Sequence, residues 1–516
     1  MIKKIVLPAF GIAAFLLAGS LSFGAVAANI VDAARAGDAN QVRALVEKKV
    51  DVNTRASDGA TALHWAVNRD DLKMVDMLLA AGAKVDVTND FGTTPLSLAC
   101  ENGSAAMTEK LLKAGAKPNV ANPGGETPLM IASRTGSIAT VRILLDHGAN
   151  VDAKEDTRGQ TALMWAIDEK HSDVVKLLID RGANFRDKSR SGFSPFLFAL
   201  RNGDVELVKS FVASGGIDVN EKVPGSQGGP LLITIANPNM ELATLLLNQG
   251  ADPNLGNGAA LLSAISGKNY DIASLLLDHG ANPNLGGPDG AALHALVNKG
   301  RGGDDDNADD PANDTAHPGG KIDRMTLAAK LVAKGADVNG RGGSPPRGKT
   351  VSIGTALKAL PKLENPDPSG GETVFLSAAE NADVPMLRFL LKAGADPKLT
   401  SGGDNALMLA AGVGNNPTSN KESDVLEAVK ICFEAGVDIN GKDDNGDTAM
   451  HGAVLRAADS VIRYLAAHGA KINEKNRIGW TPLDMAEGLI PGTPNYRPTH
   501  SAELLRELLG LKKEHR

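Results

Sequence analysis

Aromatic side chains make up only 3% of this chain, so it lacks the rows of stacking rings on which single-stranded nucleic acid is usually held. Cysteine is nearly absent as well. Cys100 and Cys432 lie far apart, which argues against a disulfide framework, and each occupies a position where a small core residue is expected, so both read as buried free thiols. Positive charge in bulk is missing too. With a formal net charge of -7 and no dense Lys/Arg block, the chain has no broad field to draw it to phosphate backbones, and no nucleic-acid partner is expected.

Catalytic signatures are also lacking. There is no G-x-S-x-G elbow and no P-loop, and Gly256-Asn257-Gly258 starts like a dinucleotide fingerprint but wants the third glycine. His64, His171, His279, His451 and His468 are scattered singly without zinc spacing. His147, His279 and His468 precede glycines at helix ends, where the helix dipole favours a cation. The acidic run Asp304–Asp310 is the best calcium candidate, yet it does not follow the EF-hand spacing and reads as a solvated loop. No catalytic residue, no metal and no cofactor are expected.

Long apolar runs are confined to the N-terminus. Lys3 and Lys4 precede an apolar stretch from Ile5 to Ala18, and Ala25-Val26-Ala27 supplies a small-residue cleavage site, which predicts a signal peptide over 1–27. The competing reading is an uncleaved anchor, but Gly19, Ser20, Ser22 and Gly24 break the run below a membrane-spanning length. Ser20 stands where a lipid anchor would need cysteine. The expected location is therefore periplasmic or secreted, with no stable membrane insertion after cleavage.

What the chain does contain is a period. Gly82, Gly115, Gly148 and Gly182 recur at intervals of 33, 33 and 34 residues, each behind a Leu-rich stretch such as Met77-Leu78-Leu79 or Ile143-Leu144-Leu145. Thr94-Pro95-Leu96 and Thr127-Pro128-Leu129 open a first helix with a capping hydroxyl and a proline at the first helical position. Ala66, Ala99, Ala132, Ala166 and Ala199 let neighbouring units approach, and the periodic glycines end a second helix. The expected fold is all-α: a solenoid of about twelve helix-turn-helix repeats joined by short hairpin connections.

On these residues the chain resembles ankyrin-repeat proteins. Thr61-Ala62-Leu63-His64-Trp65-Ala66, Leu409-Ala410-Ala411-Gly412-Val413-Gly414 and Gly479-Trp480-Thr481-Pro482-Leu483 further resemble exported multi-ankyrin proteins of environmental bacteria. The family's Thr-Pro-Leu-His tetrapeptide, whose Thr and His brace the turn, keeps its imidazole at His64 and His451, while Ser97, Met130, Met164, Leu376 and Met408 replace it elsewhere.

The expected organisation is a capping repeat at 28–57, regular repeats over 58–220 and 230–300, and an interrupted repeat completed by 322–339. Further repeats follow over 372–498, with a capping helix over 499–516. Insertions are placed at 221–229, 301–321 (acidic and disordered), 340–371 (Gly/Pro-rich) and 412–424, their composition predicting mobility. Thr355-Ala356-Leu357-Lys358-Ala359-Leu360 reads either as a degenerate helical turn or as plain loop.

The resemblance implies that partners dock on the concave face lined by hairpin tips and first helices. Mapped onto this chain, the tips carry Phe91, Arg158, Arg190, Phe193 and Trp480, and the first-helix ends carry Arg69, Glu101, Arg134, Glu169 and Arg201. Arg and aromatic residues often dominate interfaces, although Phe91, Phe193 and Trp480 could equally pack against adjacent hairpins. Trp65 and Trp165 read as core. The expected function is a monomeric, non-enzymatic scaffold or adaptor for an unidentified protein partner; a secreted effector or inhibitor acting on a protein of another organism is the alternative.

Overall fold

A computed structural model describes residues 29–226, 228–286, 291–297, 320–342, 371–413, 421–488 and 500–511. The predicted signal peptide, the acidic insertion except Gly320 and Lys321, and most of the insertions at 340–371 and 412–424 lie outside them, as does the Thr355–Leu360 segment. The chain divides into two compact units, Met1–Ser191 and Gly192–Arg516. Among the described residues, 26 helices fall into thirteen pairs against about twelve expected repeats, and the single sheet is a two-residue antiparallel ladder.

Unit 1 holds five pairs: α1 (Ile30–Ala36) with α2 (Ala39–Glu47), α3 (Ala62–Asn68) with α4 (Leu72–Ala80), and α5 (Pro95–Glu101) with α6 (Ala105–Lys113). It ends with α7 (Pro128–Thr135) beside α8 (Ile138–Asp146), and α9 (Ala162–Asp168) beside α10 (Ser172–Asp180). First helices pack on first helices, and second helices on second. Ala66, Ala99, Ala132 and Ala166 are fully buried between the first helices, where any larger side chain would push the repeats apart.

The local causes of each pair are visible in its caps. Thr94 Oγ1 accepts the Ser97 N–H at 3.0 Å while Pro95 fills the first helical position. Asp71 Oδ1 accepts the N–H groups of Lys73 and Met74 at 3.1 and 3.0 Å to open α4. Gly82, left-handed at φ 86, then closes it.

In several repeats an asparagine four residues after the left-handed residue that closes the second helix joins repeat to repeat. The Asn53 side-chain amide donates to the Gly82 carbonyl at 3.2 Å and its oxygen accepts the Lys84 N–H at 2.8 Å. Asn119 does the same to Gly148 and Asn150. Asp86 and Asp152 stand in the same register and make only the accepting half, because a carboxylate has no N–H to give.

Unit 2 repeats the plan with α11 (Pro195–Asn202), α12 (Val205–Ala213), α13 (Pro230–Ala236), α14 (Met240–Asn248), α15 (Leu255–Ser266), α16 (Tyr270–Asp278), α17 (Ala292–Val297) and α18 (Arg324–Ala333). The ladder of β1 (Arg341–Gly342) and β2 (Glu372–Thr373) precedes α19 (Val374–Glu380), α20 (Val384–Lys392), α21 (Ala406–Ala411) and α22 (Glu422–Glu434). The unit closes with α23 (Ala449–Leu455), α24 (Asp459–Ala467), α25 (Pro482–Ala486) and α26 (Ser501–Leu508). Asparagine rungs recur at Asn220, Asn254, Asn284, Asn339 and Asn440.

One local feature differs from the sequence reading, and another, the glycine pair read as part of a repeat hairpin, agrees with it. In the insertion at 221–229, Val223 is buried and Glu221 accepts the Ser194 hydroxyl hydrogen at 2.5 Å, so this short stretch packs into its repeat. Gly256, Asn257 and Gly258 are all left-handed and form a tight reversal at the start of α15.

Candidate protein-binding surface

A histidine turn brace fixes the base of the hairpin in two repeats. His64 Nδ1 takes the Thr61 N–H at 3.1 Å, so its proton sits on Nε2, which lies 3.1 Å from the Thr93 carbonyl of the next repeat. His451 is held the same way by Thr448 and by the Trp480 carbonyl. A third imidazole, His294, was not recognised in the sequence. Its Nε2 lies 3.0 Å from the Glu372 carbonyl, but Ala291 stands where a threonine would be, and Nδ1 has no partner. Burial pushes all three histidines below their usual pKa and keeps them neutral.

At hairpin tips, backbones stack on one another. The Arg190 N–H donates to the Arg158 carbonyl at 2.7 Å, which brings these two candidate residues to adjacent positions with both side chains exposed. Beneath Arg158, the Glu155 carboxylate gathers the N–H groups of Thr157, Arg158 and Gln160 and fixes the tip. Phe91 is 74% exposed, so it does not pack on its neighbours.

Phe193 and Trp480 are not at tips. They stand at the hairpin base, directly before the caps Ser194 and Thr481, because the reversal that forms the tip ends at the left-handed Gly192 and Gly479 just before them. Phe193 meets Phe198 edge to face at 5.9 Å, and the Arg201 guanidinium lies 4.7 Å from the Phe198 ring centre and 6.0 Å from that of Phe193. Trp480 is half-buried, its carbonyl occupied by His451.

The first-helix ends of unit 1 show what the sequence reading missed. Trp65 and Trp165, read as core, are half-exposed. They occupy the fourth position of α3 and α9. The Arg35 guanidinium covers Trp65 at 4.7 Å, and that of Arg134 covers Trp165 at 5.1 Å, each arginine coming from the first helix of the preceding repeat. Both indole Nε1–H groups are buried without an acceptor. Arg69 reaches back to the Arg35 carbonyl at 3.4 Å, while Glu101 and Glu169 are exposed at the ends of α5 and α9. The signal that could have found this pairing is an Arg near one first-helix end followed about thirty residues later by Trp in the next.

Among the described residues, no group of three or more His, Cys, Asp or Glu is placed to hold a metal, and no helix is long and apolar enough to cross a membrane. Asp304–Asp310 lies outside them.

A family model described as ankyrin repeats in three copies matches residues 30–122, 96–189, 196–286 and 418–489. Among curated proteins, the BRCA1-associated RING domain protein 1 of Caenorhabditis elegans is 33% identical over 118 residues, covering 23% of this chain and 15% of that protein. Ankyrin repeat and SOCS box protein 16 of Mus musculus is 31% identical over 109 residues, covering 21% of this chain and 24% of its own length. A putative ankyrin repeat protein, L271, of Acanthamoeba polyphaga mimivirus is 35% identical over 69 residues, covering 13% and 10%. The chain thus spans less than a quarter of each of these relatives, which are animal and viral proteins. The family matches extend over more than half of the sequence and fall on the stacked helix pairs, and the chain belongs to the ankyrin-repeat family.

Proposed function

We propose that this protein is a non-enzymatic scaffold or adaptor that binds a protein partner in the bacterial periplasm through its hairpin and first-helix face. The observation that carries the reading is the pair of half-buried tryptophans roofed by arginines, Trp65 under Arg35 and Trp165 under Arg134; the stacked tips of Arg158 and Arg190 add two exposed arginines to the same unit. Such rigid, amphipathic anchors concentrate binding energy when water is excluded from them. The relatives give further support, since one, the Caenorhabditis elegans BRCA1-associated RING domain protein 1, is named for its association with another protein. The location rests on the basic, apolar and Ala-Val-Ala pattern of the first 27 residues.

Cross-linking in intact cells, followed by mass spectrometry, tests the reading. A specific protein should be captured by the native chain and lost from an Arg134→Glu, Arg158→Glu double variant that retains its circular dichroism spectrum. Recovery no different from an unrelated repeat protein, or capture indifferent to both changes, would sink it. Finding the protein in the culture medium, bound to a protein of another organism, would transfer the same face to the effector reading.

A further inference from the structure

Three successive repeats of unit 2 carry a carboxyl immediately before the first-helix cap: Glu372 before Thr373, Asp404 before Asn405 and Asp447 before Thr448. In unit 1 the same register holds Ala60, Thr93, Glu126 and Gln160, so buried like charges succeed one another only in the later row. Two of the three are satisfied. Glu372 accepts the Ser377 hydroxyl hydrogen at 3.0 Å. Asp447 accepts an N–H of Asn476, which reaches across from the base of the next hairpin at 2.9 Å.

Asp404 has no such donor. The hairpin base that faces it carries Asp443 where the following repeat has Asn476, and Asp443 is already accepting the N–H groups of Asn445 and Asp447 at 2.9 and 2.7 Å. Asp404 is only 9% exposed, and its Oδ1 has no partner. The two hairpins are in close contact: a Cβ added to Gly403 would lie 3.0 Å from the Asp443 Cα and 2.9 Å from the Asp444 nitrogen. The Ser401 hydroxyl at the base of the same hairpin is buried and also unpartnered.

We propose that a proton carried by Asp404 and shared with Asp443 closes the joint between these two repeats, and that its loss loosens the hairpin stack. The protonated acid gives Asp443 the donor that Asn476 gives Asp447. On deprotonation the acid O–H bond breaks, its electron pair stays on the carboxylate and the proton passes to solvent; no other covalent bond changes. The charged groups around Asp404 favour keeping it: Glu372 in β2, Glu380 at the end of α19, and Asp443 and Asp444 opposite. Arg341 donates to the Gly371 and Thr400 carbonyls beside the preceding hairpin, and His451, which faces Asp443, is held neutral by burial.

Burial, and then the Asp443 charge, push Asp404 up to about 8, while burial and Asp447 push Asp443 up to about 6. A folded pKa raised above the unfolded value of 3.8 means that the folded joint binds the extra proton. Its stability is complete in acid, falls as pH rises between those two values and levels off above the higher one.

Hydrogen exchange of the full chain, corrected for the intrinsic alkaline increase and referenced to the Asn476–Trp480 hairpin, tests the joint. Opening of 401–404 and 443–447 should rise by up to about tenfold per pH unit until pH 8, then flatten. Asp404→Asn supplies a permanent N–H donor and should abolish the step; Asp443→Asn, which restores the Asn476-like arrangement, should abolish it or move it to lower pH. An equal step in Asp404→Asn, or no step in the native chain, overturns the proposal. If Asp404→Asn does not fold, an unchanged step in Asp443→Asn overturns it equally.

Discussion

The His64 imidazole ties two repeats together, taking the Thr61 N–H on one nitrogen and reaching the Thr93 carbonyl with the other, each at 3.1 Å. Because the residue is 2% exposed, removing the ring leaves the buried Thr61 N–H without its acceptor and cuts the tie to the next repeat, whose Thr93 carbonyl keeps only the Asn89 N–H. His64→Ala should therefore lower unit 1 stability by about 2 to 4 kcal/mol, read from the urea midpoint of its tryptophan fluorescence.

The same imidazole gives unit 1 an acid response. Burial lowers its folded pKa below the reference of 6.5, so its contribution is present above that value and is lost as pH falls through the folded pKa. Urea midpoints measured from pH 7.5 down to pH 5 should decline in the native chain, and His64→Gln should show a smaller decline. An identical slope in both would remove His64 as the source.

The buried, unpartnered Nε1–H of Trp165 is a standing cost to the folded state. Trp165→Phe keeps an aromatic face under Arg134 and deletes the orphan donor, so it should leave stability unchanged or raise it by up to about 1 kcal/mol. Trp165→Ala should lose about 2 to 3 kcal/mol. Thermal unfolding of the two variants side by side distinguishes them.

Glycines that look alike in the sequence should differ in tolerance. Gly82→Ala meets nothing within 4 Å and carries only the left-handed backbone strain, about 1 kcal/mol. Gly412, at φ 114, would place a Cβ 2.6 Å from the Arg456 Nε, so Gly412→Ala should cost about 3 kcal/mol. Chemical denaturation of each variant measures the gap.

Cys100 and Cys432 are fully buried, and burial pushes both thiols up to about 12. Neither should react with a thiol reagent at pH 8 in the folded chain, and both should be titrated within minutes in denaturant. Fast labelling of either one without denaturant would contradict the packing.

The paired helices were legible because their causes are local: a capping hydroxyl, a proline and a terminal glycine each act within one turn. Insertion edges were legible only as breaks in that period. The roles of Trp65 and Trp165 were not, since apolar spacing marks one helix side as core and cannot say that this side of the row lies open. His294 escaped because Ala291 removed the threonine that announces its partner motif. Asp404 was invisible for another reason: its predicament depends on Asp443, thirty-nine residues away, and no local pattern marks a carboxyl facing a carboxyl.

The asparagine rungs also bear on how such a chain can change over generations. Each is a self-contained coupling, with the same two hydrogen bonds at Asn53, Asn119, Asn254 and Asn440 whatever the rest of the repeat contains. A stretch of DNA excised or duplicated from one rung to the next would keep a matching plug and socket at both new junctions. Growth and shortening by whole repeats are thus conservative edits, and variety can accumulate on the exposed rims without renegotiating the seams.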